Sequence, residues 1–300
     1  MTTIQNTNLL AQRLNNEQNK KLTVSMANQP IVNTPQNTQK QPPWNLLLLS
    51  MGLIFANIPL FHLINTKLMK SDKELGINFD SVKKVFDKMF AENKLAEKGV
   101  TSCFVLTGSE EAKNLIKTAG GGAYIFDLKK GIKQIATVRE TASVSLHEAG
   151  HAINHNCTKL GKFYSKVIDK MPSFLQNPLM LATVAVVVLQ YIGNAYNKPK
   201  AGKKENQKEP FSITKFVHDN IGKLSVLAFA PCLLDEGFAT KRALSATKKL
   251  APEMLKPLRK NLFTAALTYL LSANAMLISS LLNRKFVDEV KAQQNSQNQK

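Results

Sequence analysis

Three charge-free runs constrain this chain before any motif is considered. Lys40 to Lys67 encloses 26 uncharged residues, Lys170 to Lys198 encloses 27, and Lys260 to Arg284 encloses 23. A helix needs roughly 20 predominantly apolar residues to cross a bilayer. Each run is long enough, so residues 44–66, 171–197 and 261–283 read as transmembrane helices. Trp44 suits a membrane–water interface. A buried helix of a soluble protein is the competing reading of the first run. A fourth apolar segment, 211–234, carries Lys215, His218, Asp219 and Lys223. These groups are costly in lipid and must face protein or water. The expected fold class is a mainly α membrane protein with a small β-hairpin or sheet and about three to four transmembrane helices.

The remaining segments give the domain plan. Residues 1–43 are rich in Asn, Gln and Thr and too poor in large apolar side chains to fold, so they read as disordered. Residues 67–170 hold the chemistry. Within them, 76–99 place Val82, Val85, Phe86, Met89 and Phe90 at helical spacing. Residues 101–107 form a β-like run. Runs 123–128 and 132–138 flank Lys129-Lys130-Gly131 as a hairpin. A lysine-rich linker covers 198–210, a returning helix and a further helix cover 211–260, and a polar tail covers 284–300. The net charge is +19 and the pI about 9.8. Basic loops of a membrane protein account for that balance. No nucleic-acid-binding motif is present and aromatics are sparse among the lysines, so nucleic acid is not an expected partner. Cys103, Cys157 and Cys232 show no metal-type CxxC spacing and imply no disulfide framework.

Residues 147–151 read His-Glu-Ala-Gly-His. Two histidines four apart stand one turn above the other on a helix, so both imidazoles can reach one ion. The intervening glutamate is placed to take a proton from water held there. This is the zinc-hydrolase pattern H-E-x-x-H, and independent placement of this chain's five histidines and its glutamates would produce it roughly 0.004 times per chain. Apolar or small residues at Val144, Leu146, Ala149, Ala152 and Ile153 predict a core helix over 141–156. His147 and His151 are the expected Zn²⁺ ligands and Glu148 the expected catalytic base.

Catalytic zinc takes three protein ligands and leaves one position for water. His155, Asp169, His218, Asp219, Asp235 and Glu236 lie within the next hundred residues. His155 is one further turn along the helix, too far to share a tetrahedral ion with His147. Glu236 is preferred: with Ala239 and Ala243 it shares one helix face, and small residues there let a second helix approach. Asp235 is the alternative.

These segments resemble the YugP-like neutral zinc metallopeptidases, a membrane-embedded family. His147 to His155 resembles its active-site helix. Glu236-Gly-Phe-Ala-Thr-Lys-Arg-Ala-Leu is similar to its second helix, and Phe263 to Leu271 to its last membrane helix. The arrangement is more distantly similar to the HtpX-type and CAAX-prenyl membrane proteases. The resemblance covers about residues 76–283. It implies a zincin-like fold with His147, His151 and Glu236 as metal ligands, Glu148 as base, and a place in a bacterial plasma membrane. Thr240 stands where the HtpX-like pattern has an aspartate, which leaves the groups orienting the histidines unassigned.

The expected function is a membrane-embedded zinc metalloendopeptidase acting on membrane-associated polypeptides. His147 and Glu236 must lie on the same side of the bilayer, so a crossing by 171–197 requires 211–235 to return. Lys and Arg on the site-side flanks favour the cytoplasmic side. Residues 132–138 are the expected strand for extended substrate. His218, Tyr164 and Arg242 are the candidate oxyanion donors. Two other readings compete: an inactive membrane adaptor with a metallopeptidase-like fold, and a basic tether for anionic lipid or nucleic acid.

Overall fold

The computed structural model describes residues 41–64, 70–104, 110–118, 120–127, 129–172, 175–196 and 211–297. The segments read as disordered (1–43) and as a linker (198–210) fall almost wholly outside them. In chain order the elements are α1 (Trp44–Leu63), α2 (Phe79–Glu92), β1 (Thr101–Cys103), α3 (Glu110–Thr118), β2 (Gly122–Asp127), β3 (Ile132–Thr137), α4 (Val144–Cys157), α5 (Lys159–Asp169), α6 (Pro178–Asn194), α7 (Ile213–Leu250) and α8 (Leu255–Gln297). Short 3₁₀ turns intervene. The described residues are mainly helical, with one three-stranded sheet. α3 and α5 are helices that the sequence patterns did not announce.

α1, α6, the first half of α7 and α8 pack lengthwise. Their contacts mix a small apolar cluster (Ala182, Val186, Phe229, Met276) with a chain of hydroxyls and amides. Ser50 Oγ donates to the Ser279 carbonyl at 2.9 Å. Gln190 Nε2 donates to Ser280 Oγ at 3.0 Å, and Ser225 and Ser280 share a hydrogen bond of 2.7 Å. Small polar residues of this kind let helices pack where apolar surroundings give no hydrophobic drive between them. The outer faces carry large exposed apolar side chains, among them Leu48, Phe55, Val188, Leu227 and Ile278.

Among the described residues, one helix is long and apolar enough to cross a membrane, the segment Pro252–Gln297. The expected three to four such helices are not found. Trp44–Ala56 and Pro178–Asn194 are apolar but shorter. The charge-free run 171–197 spends its first seven residues before Pro178 opens α6. The 17 residues of α6 then rise about 26 Å at 1.5 Å each, less than the roughly 30 Å of hydrocarbon. α8 in turn outruns its charge-free stretch and continues as helix through the polar 284–297 segment.

The site-bearing part has its own core. Val82, Val85, Phe86, Leu146, Ala149, Ile153, Ala243, Leu258 and Leu262 bring α2, α4, the end of α7 and the start of α8 together. The sheet order is β1-β3-β2, with β1 parallel and β2 antiparallel to β3. The hairpin forms as expected, with Gly131 at φ 66° in its turn.

α4 is fixed at both ends. The Ser143 backbone N–H donates to Asp72 Oδ2 at 2.8 Å, and the Ser143 hydroxyl bonds the other carboxylate oxygen. A carboxylate suits the positive end of a helix. At the far end Thr158 caps α5, accepting from the Gly161 N–H at 2.9 Å. A Cβ on Gly161 would fall 1.9 Å from the Asn154 carbonyl oxygen, so this corner requires glycine.

Candidate metal centre

α4 and α7 cross at near-contact. A Cβ on Gly150 would lie 2.5 Å from the Ala239 carbonyl oxygen and 2.7 Å from its Cα. Ala239 and Ala243 are completely buried. This glycine-on-alanine crossing brings the carboxylate of α7 to the imidazoles of α4.

Three donor atoms converge there. His147 Nε2 lies 3.0 Å from His151 Nε2 and 3.1 Å from Glu236 Oε2. His151 Nε2 lies 3.6 Å from Glu236 Oε1. Donor atoms on one tetrahedral zinc ion, with bonds of about 2.0–2.1 Å, sit about 3.3 Å apart.

Each imidazole also has an outer partner at Nδ1. His151 Nδ1 donates to Asp235 Oδ2 at 2.8 Å. His147 Nδ1 lies 3.2 Å from Thr240 Oγ1. With the ring hydrogens on Nδ1, both Nε2 lone pairs face the Glu236 carboxylate. In that tautomer three acceptors meet, and a metal ion or a proton would join them. The residues present therefore fit a divalent ion with imidazole and carboxylate preferences, and the outer hydrogen bonds are those that orient metal-binding histidines.

Asp235, the alternative ligand, serves instead as the outer partner of His151. It also accepts from His155 Nε2 at 3.1 Å and from Asn154 Nδ2 at 3.0 Å. Asn154 Oδ1 in turn accepts from Arg242 Nε at 2.7 Å. His151, His155 and Asp235 form a second group compact enough to hold an ion. Both of its histidines, however, meet a single carboxylate oxygen through hydrogen bonds, and it uses His151 through the nitrogen facing away from Glu236. Thr240 occupies the outer position on His147.

Glu148 is buried, and its carboxylate accepts from the backbone N–H of Tyr124. Burial lifts its pKa above the ordinary glutamate value, and the His151 and His147 imidazoles offset this only in part. Burial opposes protonation of His151, but the Glu236 and Asp235 carboxylates outweigh it and raise its pKa well above the ordinary imidazole value. Burial also pushes the Tyr124 phenol up to about 12, which keeps it neutral.

The strand expected over residues 132–138 to take substrate cannot do so. β3 is the central strand and both of its edges are already paired, so it cannot accept a further strand. β2 and β1 are the two edge strands, and β2 is the one beside α4. The Val138 N–H donates to the Gly121 carbonyl at 3.2 Å, which sets the ladder phase. Antiparallel pairs alternate between bonded and non-bonded, so the backbone groups of Gly122, Tyr124 and Phe126 point away from β3. The Tyr124 bond to Glu148 lies on this edge.

The oxyanion candidates also move. His218 lies 3.2 Å from Asp288 at another end of the helices, and Arg242 is engaged by Asn154. Tyr164 lies edge-on to His155. Tyr269 of α8, not singled out from the sequence, brings a hydroxyl to the same place: its phenol hydrogen-bonds Glu236 and lies within electrostatic reach of Glu148. Its signal was weak, the one tyrosine in the charge-free run 261–283. An apolar cleft of about 500 Å³ opens beside Asp235 between α5 and α7, walled by Leu160, Phe163, Pro231, Leu234 and Phe238.

Comparison of the chain with protein-family models, with curated proteins and with solved structures found no match.

Proposed function

We propose that this chain is a membrane-embedded zinc metallopeptidase that hydrolyses peptide bonds of membrane-associated polypeptides. The observation that carries the reading is the convergence of His147 Nε2, His151 Nε2 and a Glu236 oxygen at 3.0–3.6 Å, beside a buried Glu148. His147, His151 and Glu236 would hold the ion. When bound, zinc acts as a Lewis acid toward water and the scissile carbonyl.

The chain's own groups supply the rest. Glu148, with its pKa raised by burial, takes a proton from the attacking water and returns it to the departing amine. The Tyr269 phenol offers a hydrogen bond to the carbonyl oxygen as charge develops. The open edge of β2 offers backbone groups at Gly122 and Phe126 to an extended peptide. The apolar cleft beside Asp235 suits an apolar side chain.

The membrane placement rests on the length and hydropathy of α8 and on the exposed apolar faces of the helices packed beside it. In this reading α8 crosses the bilayer, and the site faces the cytoplasm of a bacterial cell.

The test is proteolysis of casein, or self-cleavage, by the full chain in detergent with and without a chelator. Cleavage that stops on chelation and returns with zinc, and that Glu148→Gln abolishes while zinc stays bound, is expected. Bound zinc with no cleavage of any substrate would turn the assignment to the adaptor reading. Wild-type turnover by Glu148→Gln would sink the mechanism.

A further inference from the structure

His155 belongs to the metal neighbourhood only through Nε2, which donates to Asp235. Its Nδ1 is buried and without a hydrogen-bond partner, as is the hydroxyl of Ser165 on α5. Both residues are more than nine-tenths buried. Both also line the same recess, whose volume is about 340 Å³. Lys98, Lys133, Lys162 and Lys166 also line it, and among the described residues no carboxylate does. Lys133 Nζ is held against the Lys98 carbonyl at 3.1 Å, and Lys98 Nζ against the Asn93 carbonyl. Lys162 and Lys166 stand one turn apart at the exposed rim.

Four lysines in a recess that no carboxylate lines, among the described residues, suit an anion. The two orphaned atoms say more about its chemistry. Ser165 can donate to an anionic oxygen. His155 donates through Nε2, and in the neutral ring its Nδ1 is a lone pair that needs a donor. A ligand that satisfies both carries an anionic oxygen and a free hydroxyl. The helix that supplies Lys162, Ser165 and Lys166 also exposes Leu160 and Phe163, at 64 % and 67 % of their full area. A short helix with exposed apolar residues and a lysine-rich remainder suits the bilayer interface, where lysines reach phosphate level.

We infer that this recess binds the phosphoglycerol headgroup of an anionic phospholipid. The phosphate meets the lysines and Ser165, and a glycerol hydroxyl donates to His155 Nδ1. The bound headgroup sets the depth of α5 and thereby of the apolar cleft on the other side of that helix. The inference rests on the membrane reading and not on the peptidase reading. Extraction of cell membranes at alkaline pH tests the membrane reading separately.

The experiment is native mass spectrometry of the full chain in detergent, with phosphatidylglycerol or phosphatidylcholine added, and with glycerol 1-phosphate as soluble competitor. Retention of phosphatidylglycerol about tenfold above phosphatidylcholine is expected. The pair Lys162→Ala with Lys166→Ala should reduce retention about tenfold, and Ser165→Ala should lower the preference for phosphatidylglycerol over phosphatidylserine. Lys248→Ala with Lys249→Ala, exposed lysines of α7 outside the recess, should leave it unchanged. Equal retention of the two lipids, or equal loss from the two lysine pairs, would overturn the inference. So would binding of glycerol 1-phosphate without retention of the lipid.

Discussion

Gly150→Ala tests the helix crossing on which the site depends. The added Cβ would sit 2.5 Å from the Ala239 carbonyl oxygen, and ordinary van der Waals contact begins at 3.4 Å. The neighbouring atoms are backbone, so no side-chain rotation relieves the clash. α4 and α7 must part by about 0.9 Å at this atom. Metal–ligand distances hold to within about 0.2 Å, so Glu236 cannot follow His147 and His151 onto one ion after such a shift. Overpacking of this kind costs about 1–3 kcal/mol of stability. The protein should fold with a lowered Tm and bind zinc at least about tenfold more weakly, because an imposed displacement exceeds the loss of a single orienting partner. Zinc stoichiometry by plasma emission spectrometry and competition with a chromogenic chelator give the two readouts. Gly237→Ala is the control: nothing lies within 4 Å of its added Cβ, and it sits on the same helix beside Glu236. It should keep full zinc occupancy. Wild-type zinc affinity in Gly150→Ala would refute the argument that this contact positions the third ligand.

Other substitutions separate the roles of the surrounding groups. Glu236→Gln should lower zinc content below that of Asp235→Asn. The latter keeps all three ligand atoms and loses about 10–100-fold in affinity through the freed His151 ring, so the reverse ranking in equilibrium dialysis would exchange their roles. Tyr269→Phe should bind zinc normally and lose about 10²–10³-fold in kcat with little change in KM, as expected when one oxyanion donor is removed. An unchanged kcat would leave that phenol a merely structural partner of Glu236. Zinc uptake should also depend on pH in one direction. The raised pKa of His151 means that the metal-free protein keeps this proton above the ordinary imidazole range, while the bound ligand must be neutral. Apparent affinity should therefore climb by up to about tenfold per pH unit until the raised pKa is passed. An affinity flat between the ordinary imidazole pKa and that point would contradict the protonated state.

The legible parts of this chain are those whose physics is local. Two histidines four residues apart share a helix face by geometry alone, so His147, His151 and the adjacent Glu148 could be read as a group. The hairpin was written in Lys129-Lys130-Gly131 between two β-like runs. The small face Glu236-Ala239-Ala243 correctly announced a close crossing, although its partner, Gly150, lay unremarked inside the motif itself.

What tertiary structure alone decided concerns neighbours in sequence that part company in space. Asp235 and Glu236 are adjacent, and successive helix residues point about 100° apart. Composition cannot say which one faces Nε2 and which faces Nδ1; the angle at which α7 crosses α4 does. β2 and β3 look alike as strands, and only the parallel pairing of β1 onto β3 makes β3 central and leaves β2 at an edge. Tyr269 lies 33 residues beyond Glu236 in an apolar run, and it joins the site only because α8 folds back along α7. The charge-free runs were visible from the start, but two of them overstated the helices within them, and α8 outran the third. A run is counted from charge to charge, whereas a helix begins where capping and proline allow, at Asn177 and Pro178 for α6. Sequence alone determined which chemical groups are available and their spacing along each element. The crossing of α4 and α7 determined which of them meet.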